Sequence, residues 1–245
     1  MSGPLLAATG VTKHFGGFYA LEHVDFEVGA GERVGLIGPN GSGKSTLVNC
    51  ITGTLRNDDG AILFEGRDLA GLRPHRRIRL GIARSFQIPR PFAAMTVLDN
   101  LRIPLLYAAH THGGLWRSED QAGDEAMDIL RQFGLEAKAG EMSGGLTQVD
   151  LRKLELARAM AARPKLLISD EAMAGLSSNE IDEILAILLG MKERGIAVVM
   201  IEHIMRAVMR FSERVAVLVA GRKIADGDPG EVMRNPEVER AYLGE

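Results

Sequence analysis

The stretch Gly38-Pro39-Asn40-Gly41-Ser42-Gly43-Lys44-Ser45-Thr46 sets Gly38 and Gly43 with four residues between them and follows Gly43 with lysine and a hydroxyl residue. Polyphosphate needs many hydrogen-bond donors close together, and glycine lets backbone N–H groups approach without a clashing Cβ. The spacing fits the P-loop pattern at every fixed position: Lys44 would reach the β- and γ-phosphates and Ser45 would place its hydroxyl on Mg2+. A second cluster, Leu166-Leu167-Ile168-Ser169-Asp170-Glu171, delivers two carboxylates at the end of an apolar run. Asp170 would hold Mg2+ through water, and Glu171 would orient or deprotonate an attacking water. Each cluster has an ordinary alternative, a glycine-rich turn for the first and a helix-capping acid for the second. Together they describe hydrolysis of a nucleoside triphosphate such as ATP.

These groups work only if strands and helices hold them, and the hydrophobic pattern supplies both. Residues 5–28 read as two strands around a Gly16-Gly17 turn, and Arg33 to Ile37 as a short strand running into Gly38. Lys44 to Thr54 reads as a helix, whose N-terminus adds its positive dipole end to the phosphate cradle. A strand follows at Ala61 to Glu65. From about 90 to 160 the character becomes helical, with Ala126, Ile129, Leu130 and Phe133 spaced by three and four. Thr111–Trp116 reads as a loop between two helices of this lobe. Alternation then returns, with strands at Leu166–Ser169, Ala197–Ile201 and Arg214–Val219 and a helix at Glu180–Arg194. The fold class is α/β, with an antiparallel β portion near the N-terminus and an inserted helical lobe, all within one domain over 1–245.

Composition removes several function classes. The net charge of −3 argues against a whole-surface nucleic-acid binder. A single cysteine, Cys50, excludes an internal disulfide framework and suits a reducing compartment. No apolar run reaches the roughly 18 residues of a membrane span, and Met1-Ser2-Gly3-Pro4 lacks the order of a signal peptide. A cytoplasmic location is expected. The densest basic run, Arg73-Pro74-His75-Arg76-Arg77-Ile78-Arg79, reads as a solvated helix face.

With these motifs in place, the whole chain resembles the ATP-binding subunits of ABC transporters. The resemblance implies a P-loop NTPase fold of the ABC type, ATP and Mg2+ as ligands, and ATP sandwiched between two subunits. Gln87, in Arg84-Ser85-Phe86-Gln87, matches the Q-loop glutamine, a Mg2+ ligand that senses the membrane partner. His203, in Ile201-Glu202-His203, matches the histidine that contacts the γ-phosphate. Phe15, in Lys13-His14-Phe15-Gly16-Gly17, takes the aromatic position on which adenine stacks. A narrower resemblance, carried by Phe15-Gly16-Gly17, Asn49-Cys50-Ile51-Thr52-Gly53 and the ending Asn235 to Gly244, is to the branched-chain amino acid importer group. Urea and amide importers share it. That group implies a second ATP-binding subunit, membrane-spanning permease subunits, a periplasmic binding protein, and a place on the cytoplasmic face of the membrane.

The chain departs from the family at the signature, LSGGQ, which contacts ATP on the opposite subunit. Counting back from Arg158 places Leu146-Thr147-Gln148-Val149-Asp150 there. Val149 replaces a glycine with a β-branched side chain. Asp150 brings a negative charge that would repel phosphate by roughly 4 kcal/mol at 4 Å and an effective dielectric near 20. The charge would be harmless if Thr147-x-x-Asp150 formed a capping box. A weakened signature, a silent one, and use of the upstream Ser143-Gly144-Gly145 are the three readings. Ala172 and Ser177 also stand where the family has proline and a D-loop Asp or Asn. Intact cis groups beside an altered trans signature suit a heterodimer, although a homodimer or a regulatory subunit with weak hydrolysis fits too.

Overall fold

Three apolar pentapeptides set the architecture. Arg33–Ile37 (β3), Leu166–Asp170 (β7) and Ala197–Ile201 (β8) are buried along their lengths apart from Arg33, as parallel strands covered on both faces must be. In the computed structural model, which describes residues 3–85, 89, 91–111 and 119–243, they form the centre of a six-stranded sheet. Its order is β10-β9-β3-β8-β7-β6, with β6 at Ile82–Ser85, β9 at Arg214–Val219 and β10 at Arg222–Gly227. All neighbours pair in parallel except β9 and β10. The N-terminal hairpin, Leu6–Phe15 (β1) and Phe18–Val28 (β2), joins Asp59–Phe64 (β4) and Arg67–Asp68 (β5) in a second, antiparallel sheet.

Alternation along the central strands divides the core. Leu166 and Ile168 of β7 pack on one side with Leu6, Leu21, Phe26 and Phe64 of the antiparallel sheet. Leu47, Val48 and Ile51 of α1 (Lys44–Thr52) belong to the same cluster. Leu167 faces the other way, with Val198 and Met200 of β8. That side is covered by the helices α3 (Val97–Thr111), α4 (Glu119–Gln132), α5 (Gln148–Ala161) and α6 (Ser178–Leu189), through Leu101, Leu130, Leu154 and Ile184. The fold is the expected α/β class with its antiparallel portion and helical lobe. Most of the expected Thr111–Trp116 loop lies outside the described residues. No helix among the described residues is long and apolar enough to cross a membrane.

One reading of the sequence needs correction. In the basic run, most of which lies in α2 (Pro74–Leu80), Arg77 is 5% exposed rather than solvated. Its guanidinium donates to the carbonyls of Cys50 and Ile51 at 2.6 and 2.8 Å, and to those of Leu69 and Leu72 at 2.9 and 3.0 Å. The helix end that follows the phosphate loop is thereby tied to α2 by a planar fork, a geometry that an ammonium group cannot reproduce. Burial lowers the Arg77 pKa below the ordinary arginine value. Replacing Arg77 by Leu leaves these carbonyls unpaired, so unfolding free energy should fall by about 3 kcal/mol. Urea denaturation checks this, and Arg77→Lys should recover less than half of the loss.

Candidate functional site

The turn after β3 is built around two glycines whose positions accept no side chain. A Cβ on Gly38 would lie 2.0 Å from the Leu218 carbonyl, and one on Gly43 would lie 2.5 Å from that of Ala20. Gly43 has φ of 105° and gives α1 no side-chain cap, and the first turn of α1 contains no acidic residue. The helix start is therefore left for an external anion. Lys44 donates to the carbonyls of Gly38 and Pro39 at 2.7 and 3.0 Å and lies 3.4 Å from the Ser42 hydroxyl. Burial lowers its pKa, while Glu171 and Asp170 oppose the shift. Asn40, Gly41 and Ser45 are exposed, Pro39 and Thr46 half-buried, and Ser42 buried.

Parallel pairing brings the second cluster beside this turn. Asp170 ends β7, paired with Ile201 of β8. Glu171 follows with φ of 49°, a left-handed backbone unusual for a residue with a side chain. Its carboxylate lies 3.2 Å from Nε2 of His203, which the β8 strand delivers from 32 residues further on. Asp170 is engaged by Arg84 of β6 at 2.5 Å, and Arg84 also donates to Asn49 of α1 at 2.7 Å. Oxygen donors from Ser45 and Asp170 suit a hard cation such as Mg2+, and the capless helix start suits phosphate. Gln87 lies outside the described residues. Phe15 sits at the exposed tip of the β1–β2 hairpin, paired with Phe18, its ring 5.4 Å from the Lys13 ammonium.

Sequence inspection left Arg84 and Glu202 unremarked. Glu202 is buried and accepts the Met173 amide N–H at 2.9 Å. An acidic residue directly after a wholly apolar strand is the signal that marks it.

The signature region has its own geometry. Thr147 is the N-cap of α5, and its hydroxyl accepts the Asp150 N–H at 3.3 Å. The Thr147 hydroxyl donates to the Asp150 carboxylate at 2.6 Å, and Lys138 forms an ion pair with the same group. Asp150 therefore turns inward, 6% exposed and matched by a cation. Burial raises its pKa, but the bonds from Lys138 and Thr147 outweigh that and hold it below the usual carboxylate range. Gln148 is exposed, and Val149 packs partly against the helical core. Ser143, by contrast, is fully buried, donating to the Phe92 carbonyl at 3.0 Å in a 3-10 turn upstream of α5. Gly144 and Gly145 share that turn and not the helix start.

A carboxylate with a depressed pKa stabilises the fold above its unfolded value and loses that contribution as pH falls through its folded value. Asp150→Ala should therefore cost about 1 kcal/mol at pH 7. The gap from wild type should narrow below about pH 4, as read by urea denaturation at both pH values.

A family described as ABC transporter matches residues 21–174, and one described as Branched-chain amino acid ATP-binding cassette transporter matches 222–245. The chain is 38% identical, over 100% of both chains, to the high-affinity branched-chain amino acid transport ATP-binding protein BraF of Pseudomonas aeruginosa. A crystal structure of an ATP-binding cassette of an ABC transporter in its ADP conformation superposes with a TM-score of 0.87 at 31% identity, covering 99% of this chain and 100% of the other. A dimeric ATP-binding cassette in a post-hydrolysis state, bound to ADP and Pi, superposes with a TM-score of 0.80 at 25% identity, over 91% and 98%. A phosphate turn, an acid pair and a histidine at one sheet edge, in a chain alike end to end with such cassettes, place this protein in the ABC transporter family as one of its ATP-binding, ATP-hydrolysing subunits.

Proposed function

We propose that this chain binds ATP with Mg2+ and hydrolyses it to drive an importer of branched-chain or other hydrophobic amino acids. The observation that carries the catalytic part is the 3.2 Å contact between Glu171 and His203, on the strand ends beside the turn that holds Lys44. Lys44 exchanges its loop carbonyls for phosphate oxygens, and the α1 N-terminus supplies backbone donors. Ser45, Asp170 and Gln87 would hold Mg2+, which would neutralise phosphate charge. Glu171 orients a water and takes its proton as the water oxygen bonds to the γ-phosphorus and the bond to the ADP oxygen breaks. His203 keeps the Glu171 carboxylate aimed and contacts the γ-phosphate. Phe15 stacks on adenine.

The start of α5 serves the opposite ATP. Thr147 caps the helix, Asp150 is neutralised by Lys138, and the amides of Gln148 and Val149 belong to the first turn, which lacks intrahelical partners. This geometry favours a competent signature over a silent one, and an active subunit over a purely regulatory one. The partners are a second ATP-binding subunit, permease subunits in the membrane and, through them, an extracytoplasmic binding protein. The chain then lies on the cytoplasmic face of the membrane. The amino-acid substrate rests on the likeness to BraF and on the C-terminal match at 222–245.

Glu171→Gln should keep ATP affinity within about threefold and lower hydrolysis at least about 100-fold, measured by equilibrium binding and phosphate release. Hydrolysis at the wild-type rate would remove the role of Glu171. Cells lacking this chain should lose uptake of labelled leucine, isoleucine and valine while keeping that of urea; loss of urea uptake alone would reassign the substrate.

A further inference from the structure

Two buried charges beside the catalytic pair have no part in the roles above. Glu202 lies between the end of β8 and His203, and it is 3% exposed. Its carboxylate accepts the Met173 N–H at 2.9 Å, and the His203 N–H is near enough to favour its charged form. Burial pushes its pKa up to about 7, against those two amides and the charge of Arg152. A carboxyl group buried in that setting costs folding free energy that its hydrogen bonds must offset. Arg152 of α5, 6% exposed, comes from the other side and donates to the Ala174 carbonyl at 3.3 Å.

The segment 172–174 is thus gripped at both ends, at the Met173 N–H by the residue that follows β8 and at the Ala174 carbonyl by α5. It begins directly after Glu171, whose backbone stands at φ of 49°. It runs on to Gly175, where an added Cβ would lie 3.0 Å from the side-chain nitrogen Nε2 of Gln148, in the first turn of α5. A left-handed residue keeps its conformation only where the surroundings over-determine it, and these two bonds lie immediately downstream.

We propose that Glu202 is a positioning residue for hydrolysis: its bond to the Met173 amide, with the Arg152 bond to Ala174, fixes the Glu171–His203 pair and ties it to the Thr147 end of α5. The inference rests on the reading of Glu171 and His203 as the groups that direct water. In one chain it joins the acid that serves its own ATP to the helix start that serves the other subunit's ATP. Glutamine at 202 keeps a carbonyl oxygen for the Met173 N–H, whereas alanine does not.

The test uses the full chain in three measurements: ATP binding, the ring resonances of 13C-labelled histidine, and turnover per ATP-binding site in the assembled transporter. Glu202→Ala should lower turnover about tenfold or more, leave ATP affinity within about threefold, and displace the His203 resonance; Glu202→Gln should restore turnover and resonance to near wild type. Wild-type turnover in Glu202→Ala overturns the proposal, as does equal loss in both variants. If Glu202→Ala does not fold, Arg152→Met gives the same reading: turnover falls with the His203 resonance displaced, and unchanged turnover overturns the proposal. Glu171→Gln runs alongside. If it hydrolyses ATP normally, the catalytic reading itself fails; if it is inactive beside an unaffected Glu202→Ala, only the positioning role fails.

Discussion

Parallel pairing of β3, β8 and β7 is the constraint on which everything else depends. Because these strands run the same way in register, Val34 beside Val199 and Asp170 beside Ile201, the chain leaves all three at one edge. The phosphate turn, the acid pair and His203 are brought together there although they are far apart in sequence. Burial of the strands on both faces leaves a one-residue slip no tolerable alternative, since it would exchange the two core faces. The chemistry is thus positioned by hydrophobic packing that contains none of it.

At those strand ends and at the start of α5 the protein holds charges that it does not leave to water. Lys44 lies among loop carbonyls, Asp170 is paired with Arg84, Glu202 with the Met173 amide, and Asp150 with Lys138 and Thr147. Each arrangement converts a desolvation penalty into a fixed direction, because a buried ionised group retains only the orientations in which its bonds are made. The same low dielectric strengthens the field that these groups exert on whatever the site holds. Asp150 shows why direction matters more than identity: the charge that would repel ATP from an exposed position serves as a capping group when turned inward.

Much of the fold and part of the site could be read in the sequence, for physical reasons. A phosphate cradle is local, so Gly38 to Ser45 declares itself in a few residues, and apolar runs such as Ala197–Ile201 mark their strands to the residue. The edge strand β10 did not declare itself, since Arg222–Gly227 is half-exposed and needs little apolar pattern. Arg77 was hidden for a different reason: its partners are backbone carbonyls of other elements, and a carbonyl has no letter in the sequence. The same holds for Glu202, bonded to an amide supplied by the turn after Glu171. The start of α5 was legible as a conflict, Val149 and Asp150 where glycine and glutamine are usual, and the fold settles the orientation through Lys138, twelve residues upstream.

The central claim is that the Thr147 end of α5 still accepts phosphate, so that ATP held by one chain draws in a second helix start. Light scattering of Glu171→Gln, with and without ATP and Mg2+, tests it most directly. The account predicts a mass that doubles when ATP is added and returns to that of one chain when ATP is removed. A chain that binds ATP by equilibrium dialysis yet keeps the mass of one copy at every ATP concentration would contradict it.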